Sequence, residues 1–266
     1  MTDRTVLITG CSSGIGECVA HGLAGRGYRV LATARREEDV QRLQAAGLES
    51  FQLDVAEPAS VEAGVEQTLQ RTGGTLYALF NNGAYGQPGA VEDLTRDVLR
   101  EQFETNLFGW HDLTRQVLPV MRRQGYGRII QNSSVLGFVA LAYRGAYNAS
   151  KYALEGLSDT LRLELRGTDI HVSLVQPGPI TSRFRPNAYL AYQRNIDPRV
   201  SVHRERYEGM EQRLTKEGPV VPFTLPPEAV LKKVIHALES PRPKARYRVT
   251  FPTYLFATLK RVLPDR

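Results

Sequence analysis

Short apolar runs along the chain alternate with longer stretches in which apolar residues recur at helical spacing. Residues 6–8 form a compact apolar run followed by glycines, and this predicts a strand leading into a helix over about 15–25. The same logic predicts strands at 28–33, 51–53, 76–80, 128–132 and 170–175. It predicts helices at 37–46, 58–71, 98–123 and 146–166. Pro58 suits a first helical turn, and Gly125 with Gly127 stops the long helix before them.

Strands alternating with helices imply βαβ units, hence an α/β fold with a parallel sheet and right-handed crossovers. Sequence repeats and low-complexity linkers are absent, so the pattern predicts a single domain over 1–266. The regular alternation breaks after Pro177. Residues 178–226, rich in Pro, Arg and Tyr, predict an excursion over the sheet. A helix over about 226–239, a last strand at 246–249 and an apolar, basic tail at about 250–266 complete the pattern.

A chain of 266 residues, 42% hydrophobic and 23% charged, can bury one large core. Its net charge of +6 suits anionic ligands such as phosphorylated cofactors. The basic residues are scattered arginines without a nucleic-acid-binding module, so no nucleic-acid partner is expected. Cys11 and Cys18 lie close together near the N-terminus and show no metal-ligand spacing. Residues 1–4 lead directly into the first strand without a signal peptide, and no apolar run is long enough to cross a bilayer. A cytoplasmic protein without a metal is the expectation.

Between the first strand and its helix lies Thr9-Gly10-Cys11-Ser12-Ser13-Gly14-Ile15-Gly16. Glycines let backbone approach a phosphate closely, and the helix N-terminus behind them offers free N–H groups and a positive dipole end. The second strand ends in Thr33-Ala34-Arg35-Arg36, near where such a fold holds the adenosine ribose. An arginine there can pair with a 2′-phosphate, so Arg35 predicts NADP(H) in preference to NAD(H). Further along, Tyr147 and Lys151 share a helix face at i and i+4. A lysine cation beside a phenol lowers its pKa, which makes the pair a candidate general acid/base.

Taken together these segments resemble the short-chain dehydrogenase/reductase family, in its single-domain branch, from about residue 5 to 181. Thr9 to Gly16 is similar to the family's T-G-x-x-x-G-x-G loop. Leu53-Asp54-Val55 resembles the adenine-contact segment, which implies that Asp54 and Val55 meet the adenine. Asn81-Asn82-Gly83-Ala84 falls where the family has N-N-A-G, with the last two residues exchanged, and Asn81 is implied to meet the cofactor. Asn106 in Thr105-Asn106-Leu107-Phe108-Gly109 matches the catalytic asparagine, and Ser134 precedes Tyr147 by the family's usual interval. The run containing Pro177, Gly178, Ile180 and Thr181 resembles the segment that holds the nicotinamide carboxamide.

The resemblance implies a Rossmann-type, doubly wound sheet of about seven strands in the order 3-2-1-4-5-6-7. It also implies hydride transfer between the nicotinamide and a carbonyl carbon, with the pro-S hydride moving. Ser134 would orient the carbonyl oxygen, Tyr147 would exchange its proton, and Lys151 would lower the Tyr147 pKa and hold the ribose. Asn106 would anchor a water linking Lys151 to solvent. Phe138, Leu141, Tyr143 and Phe184 would line a substrate pocket suited to a lipophilic aldehyde or ketone. The wording of the motifs is closest to retinol and hydroxysteroid dehydrogenases and to related bacterial aldehyde reductases. An alcohol or hydroxysteroid dehydrogenase working toward oxidation therefore stays open. A dinucleotide-binding regulatory protein without catalysis would not need the four catalytic residues, and all four are present. The implied assembly is a homodimer or homotetramer through the helices at 98–123 and 146–166. The basic apolar tail permits, but does not require, contact with a membrane surface.

Overall fold

The computed structural model describes residues 4–218 and 220–263. The elements run β1 (Thr5–Ile8), α1 (Gly14–Ala24), β2 (Arg29–Ala34), α2 (Glu37–Ala45), β3 (Glu49–Gln52), α3 (Pro58–Thr72) and β4 (Ala78–Asn81). They continue with α4 (Arg96–Phe103), α5 (Gly109–Gln124), β5 (Tyr126–Asn132), α6 (Gly145–Glu164) and β6 (Asp169–Gln176). The last are α7 (Phe184–Asn195), α8 (Arg204–Thr215), α9 (Glu228–Glu239), β7 (Arg246–Arg248) and α10 (Phe251–Val262).

The strands form one seven-stranded sheet in the order β3-β2-β1-β4-β5-β6-β7. Every neighbouring pair is parallel. Helices cover both faces, so both faces of the central strands are buried, which is why those strands read as unbroken apolar runs. Alternation along β1 sends Val6 and Ile8 toward Val19 and Leu23 of α1 and Val230 and Val234 of α9. Leu7 points the other way, into a second core with Val61 of α3, Trp110 and Leu113 of α5 and Leu154 of α6. Each such side chain contributes about 1.5–3 kcal/mol of burial. The strand order reverses between β1 and β4, where a ligand crevice opens beyond the strand ends.

The long helix expected over 98–123 is interrupted. A π-helical turn at Glu104–Phe108 separates α4 from α5. Thr95 caps α4 by accepting the Val98 N–H at 3.3 Å, and Gly125 ends α5 in the left-handed region. The π turn brings Gly109 against the chain beyond β3. A Cβ on Gly109 would sit 1.7 Å from the Val55 carbonyl oxygen, so this close approach requires glycine.

The excursion after Pro177 contains α7 and α8, which build a small core of their own from Ala188, Tyr192, Tyr207, Met210 and Leu214. The apolar tail is α10, whose Phe251, Tyr254, Leu255 and Phe256 are exposed. Residues 1–3 and 264–266, including the basic Arg266 at the end of the tail, lie outside the described residues. Among the described residues, no helix is long and apolar enough to cross a membrane.

Candidate active site

The glycine loop is held open by backbone contacts that only glycine permits. Gly10 has φ +69°, and a Cβ there would lie 2.4 Å from Gly83 Cα. A Cβ on Gly16 would lie 2.2 Å from the Gly10 carbonyl oxygen. Thr9 Oγ1 accepts the N–H groups of Asn82 (2.9 Å) and Gly83 (3.0 Å). Asn82 returns two bonds through Nδ2, to the carbonyls of Thr9 (3.0 Å) and Gly10 (3.1 Å). This latch joins the ends of β1 and β4. Ser13, the residue before α1, makes no side-chain cap, which leaves the first-turn N–H groups of Gly14, Ile15 and Gly16 available to an anion. A cradle that added Cβ atoms would fill, facing an uncapped helix start, fits the pyrophosphate of a dinucleotide.

Asn81 does not face this cradle. It ends β4 with the parity of Leu79 and therefore points into the α5 layer, fully buried. Its Nδ2 donates to Gln131 Oε1 at 3.0 Å and to Thr114 Oγ1 at 3.1 Å. The side chain that faces the loop is that of Asn82, and Asn132 Nδ2 in turn donates to Asn82 Oδ1 at 2.8 Å.

At the adenosine end, Arg35 is exposed, and its guanidinium has no partner among the described residues. Its neighbours are engaged. Arg36 pairs with Asp39 at 3.0 Å, while Arg42 pairs with Glu17 at 2.7 Å and donates to the Ser12 carbonyl. Asp54 holds its own turn by accepting the Ala56 N–H at 3.0 Å, and Val55 is buried beside Gly109. At the nicotinamide end, the Pro177 carbonyl accepts the Val135 N–H at 2.8 Å. Gly178 lies against α10, where a Cβ would meet Thr250 Oγ1 at 2.1 Å. Ile180 bridges to Leu225, and the Thr181 N–H donates to the Leu225 carbonyl at 2.9 Å.

Ser134, Tyr147 and Lys151 meet beyond β5. Ser134 opens a short 3-10 turn and accepts the Leu136 N–H at 3.1 Å. Its hydroxyl also acts on the Tyr147 phenol, favouring the ionised form. Burial pushes the Tyr147 phenol up to about 12, against the pull of Ser134. Burial pushes Lys151 down to about 7, against the pull of Glu155 one turn on. Lys151 Nζ donates to the Asn132 carbonyl at 2.9 Å and lies 4.0 Å from the centroid of the Trp110 ring. It is farther, 5.8 Å, from the centroid of the Tyr147 ring. The expected lowering of the Tyr147 pKa by Lys151 is therefore overridden: desolvation dominates both groups.

Asn106 lies in the π turn, fully buried. Nδ2 donates to the Tyr85 carbonyl (2.9 Å) and to Ser150 Oγ (3.2 Å), and Oδ1 accepts the Tyr85 N–H at 3.2 Å. Both amide donors are thus committed to protein partners. This side chain fixes Ser150, beside Lys151.

Phe184 stands edge-on to Tyr147, ring centroids 5.2 Å apart, and Leu141 is exposed. The Phe138 carbonyl accepts from Lys260 of α10 at 2.6 Å. Tyr143 departs from its expected place in the pocket wall: it packs at 5.9 Å against Tyr207 in the α7–α8 core, with its hydroxyl on His203. Trp110, Asn82 and Glu155 were not expected from sequence. Trp110 follows Asn106 by one helical turn, the signal that could have found it. Among the described residues, no group of His, Cys, Asp or Glu side chains could hold a metal ion.

The family model of the short chain dehydrogenases matches residues 4–192. The uncharacterized oxidoreductase YbbO of Escherichia coli (strain K12) is 43% identical over 99% of this chain and 91% of its own length. Human retinol dehydrogenase 8 is 33% identical over 97% of this chain and 85% of its own. A solved structure of an actinorhodin polyketide ketoreductase with NADPH superposes with a TM-score of 0.76 at 29% identity, covering 93% of this chain and 95% of that one. With the parallel sheet, the glycine cradle and the Ser-Tyr-Lys cluster at its mouth, these matches place the chain in the short-chain dehydrogenase/reductase family, as an NAD(P)-dependent oxidoreductase.

Proposed function

We propose that this protein reduces a lipophilic aldehyde or ketone with NADPH, using Tyr147 as general acid. The observation that carries this reading is the buried Tyr147, set edge-on to Phe184 and beside Lys151 at the mouth of the cradle, where burial favours the protonated phenol. A protonated phenol suits proton donation to an oxygen that gains negative charge. The dinucleotide, when bound, supplies the hydride that adds to the carbonyl carbon. Ser134 donates a hydrogen bond that orients the carbonyl oxygen, and Tyr147 delivers its proton to that oxygen. Lys151, titrating near 7, is the nearest ammonium to Tyr147 and can restore that proton. Phe184 and Leu141 supply apolar wall beside Tyr147.

The oxidative alternative is favoured by the name of the retinol dehydrogenase relative. It runs the same residues in reverse, with Tyr147 taking the proton of the alcohol. Pairing of two chains across the α5 and α6 layer belongs to the same reading, since Phe108, Leu157 and Leu163 are exposed there.

The cofactor preference rests on Arg35, which is exposed and without a protein partner, as a 2′-phosphate ligand should be. Arg35→Asp is expected to raise the KM for NADPH by about tenfold or more and to change that for NADH by about twofold at most. Equal loss for both cofactors in steady-state kinetics would remove this assignment.

A further inference from the structure

Lys151 is fully buried, yet none of its hydrogen bonds goes to a carboxylate. Its ammonium has one protein acceptor, the Asn132 carbonyl at 2.9 Å. The titratable groups beside it, Tyr147 and Glu155, lie on its own helix, and Glu155 is the one charge that acts on it among the described residues. Glu155 is itself engaged, with Arg246 at 3.0 Å and Gln176 at 3.0 Å. From β5 comes the neutral Asn132 carbonyl, and from α5 the indole of Trp110, whose ring centroid is 4.0 Å from Nζ. That ring is fully buried as well, so the contact is shielded from water, the setting in which a cation gains most from an aromatic face.

Trp110 is also anchored at its far edge. Its Nε1–H donates to the Gly83 carbonyl at 2.9 Å. Gly83 is the residue whose backbone abuts Gly10 in the glycine loop and whose N–H is held by Thr9. One indole therefore touches the ammonium on its face and the cofactor-side turn on its edge. An aliphatic side chain at this position could fill the space but could make neither contact.

We propose that Trp110 is a positioning residue for the proton-transfer step: its indole face seats the Lys151 ammonium, and its ring N–H ties that seat to the Gly83 turn of the cofactor cradle. The proposal rests on the assignment of Tyr147 and Lys151 to proton transfer. The ring favours the charged form of Lys151 and so keeps the proton reserve filled to higher pH than burial alone would allow. Removing the ring lowers the pH at which Lys151 loses its proton, and the alkaline fall in carbonyl reduction moves with it.

Two measurements test this, and the first needs no turnover. Trp110 is the single tryptophan of the chain, so its emission reports this site alone. Wild-type fluorescence is expected to step with pH as Lys151 loses its proton, below the ordinary lysine range, and the step is expected to vanish in Lys151→Met. A flat wild-type titration, or a step unchanged in Lys151→Met, would overturn the proposal. The second is the pH profile of octanal reduction by NADPH in Trp110→Leu and Trp110→Phe. The leucine variant should lose about tenfold in rate on the alkaline side, with its midpoint about one unit lower and its acid-side rate retained. The phenylalanine variant, which keeps a ring face, should shift less. A leucine profile that falls uniformly at every pH would assign Trp110 to packing alone. Failure of the underlying assignment looks different, because Tyr147→Phe would then keep its turnover.

Discussion

Lys151 carries an ammonium into the core and is held by a carbonyl and a ring, without an acid in direct contact. Folding lowers its pKa to about 7, so the buried charge costs stability in full below that pH. The cost fades as pH rises toward the ordinary lysine value. Lys151→Met should therefore abolish reduction yet raise folding stability by about 1–2 kcal/mol near neutrality, and by less at about pH 9. Urea unfolding at the two pH values checks this, and a variant less stable than wild type at both would contradict it. At this scale Ser134, Tyr147 and Lys151 were legible because their spacing is rare as a set. The direction of the Asn81 side chain was not legible while the strand was ended at Phe80. Ending it at Asn81 shows by parity that this side chain points inward. Trp110 was passed over because a tryptophan on an apolar helix face looks like any core residue, and only its spacing from Asn106 marks it out.

At the scale of elements, the π turn at Glu104–Phe108 decides how the site is built. A straight helix would not bring Asn106 onto the Tyr85 backbone and Ser150 while setting Gly109 against Val55. π turns inside helices are frequent at functional sites, and the apolar spacing over 98–123 gave no sign of this one. Gly109→Ala places a methyl 1.7 Å from the Val55 carbonyl, which forces the turn to move. We expect a loss of at least about 2 kcal/mol, a fall of about 4–8 °C in Tm, and reduced turnover from the displaced Asn106. An unchanged Tm would mean that the turn is not under this constraint. The helices α7 and α8 were equally hard to foresee, because their buried side chains serve the small core around Tyr192 and Tyr207 instead of the main sheet. The same packing draws Tyr143 away from the substrate side.

For the whole molecule, alternating apolar runs were enough to read a parallel α/β sheet. The strand order follows from resemblance and not from periodicity, which says nothing about which strands are neighbours. That order puts the reversal between β1 and β4, so the glycine cradle, the Asn82 latch and the Ser134–Tyr147–Lys151 cluster open on one crevice. Under the proposed function, proton transfer in this crevice belongs to Tyr147. Tyr147→Phe keeps the ring against Phe184 and removes only the hydroxyl. NADPH consumption with a lipophilic aldehyde should fall by about a thousandfold, while NADPH affinity by titration stays within about twofold of wild type. Turnover within about tenfold of wild type, with binding intact, would contradict the account.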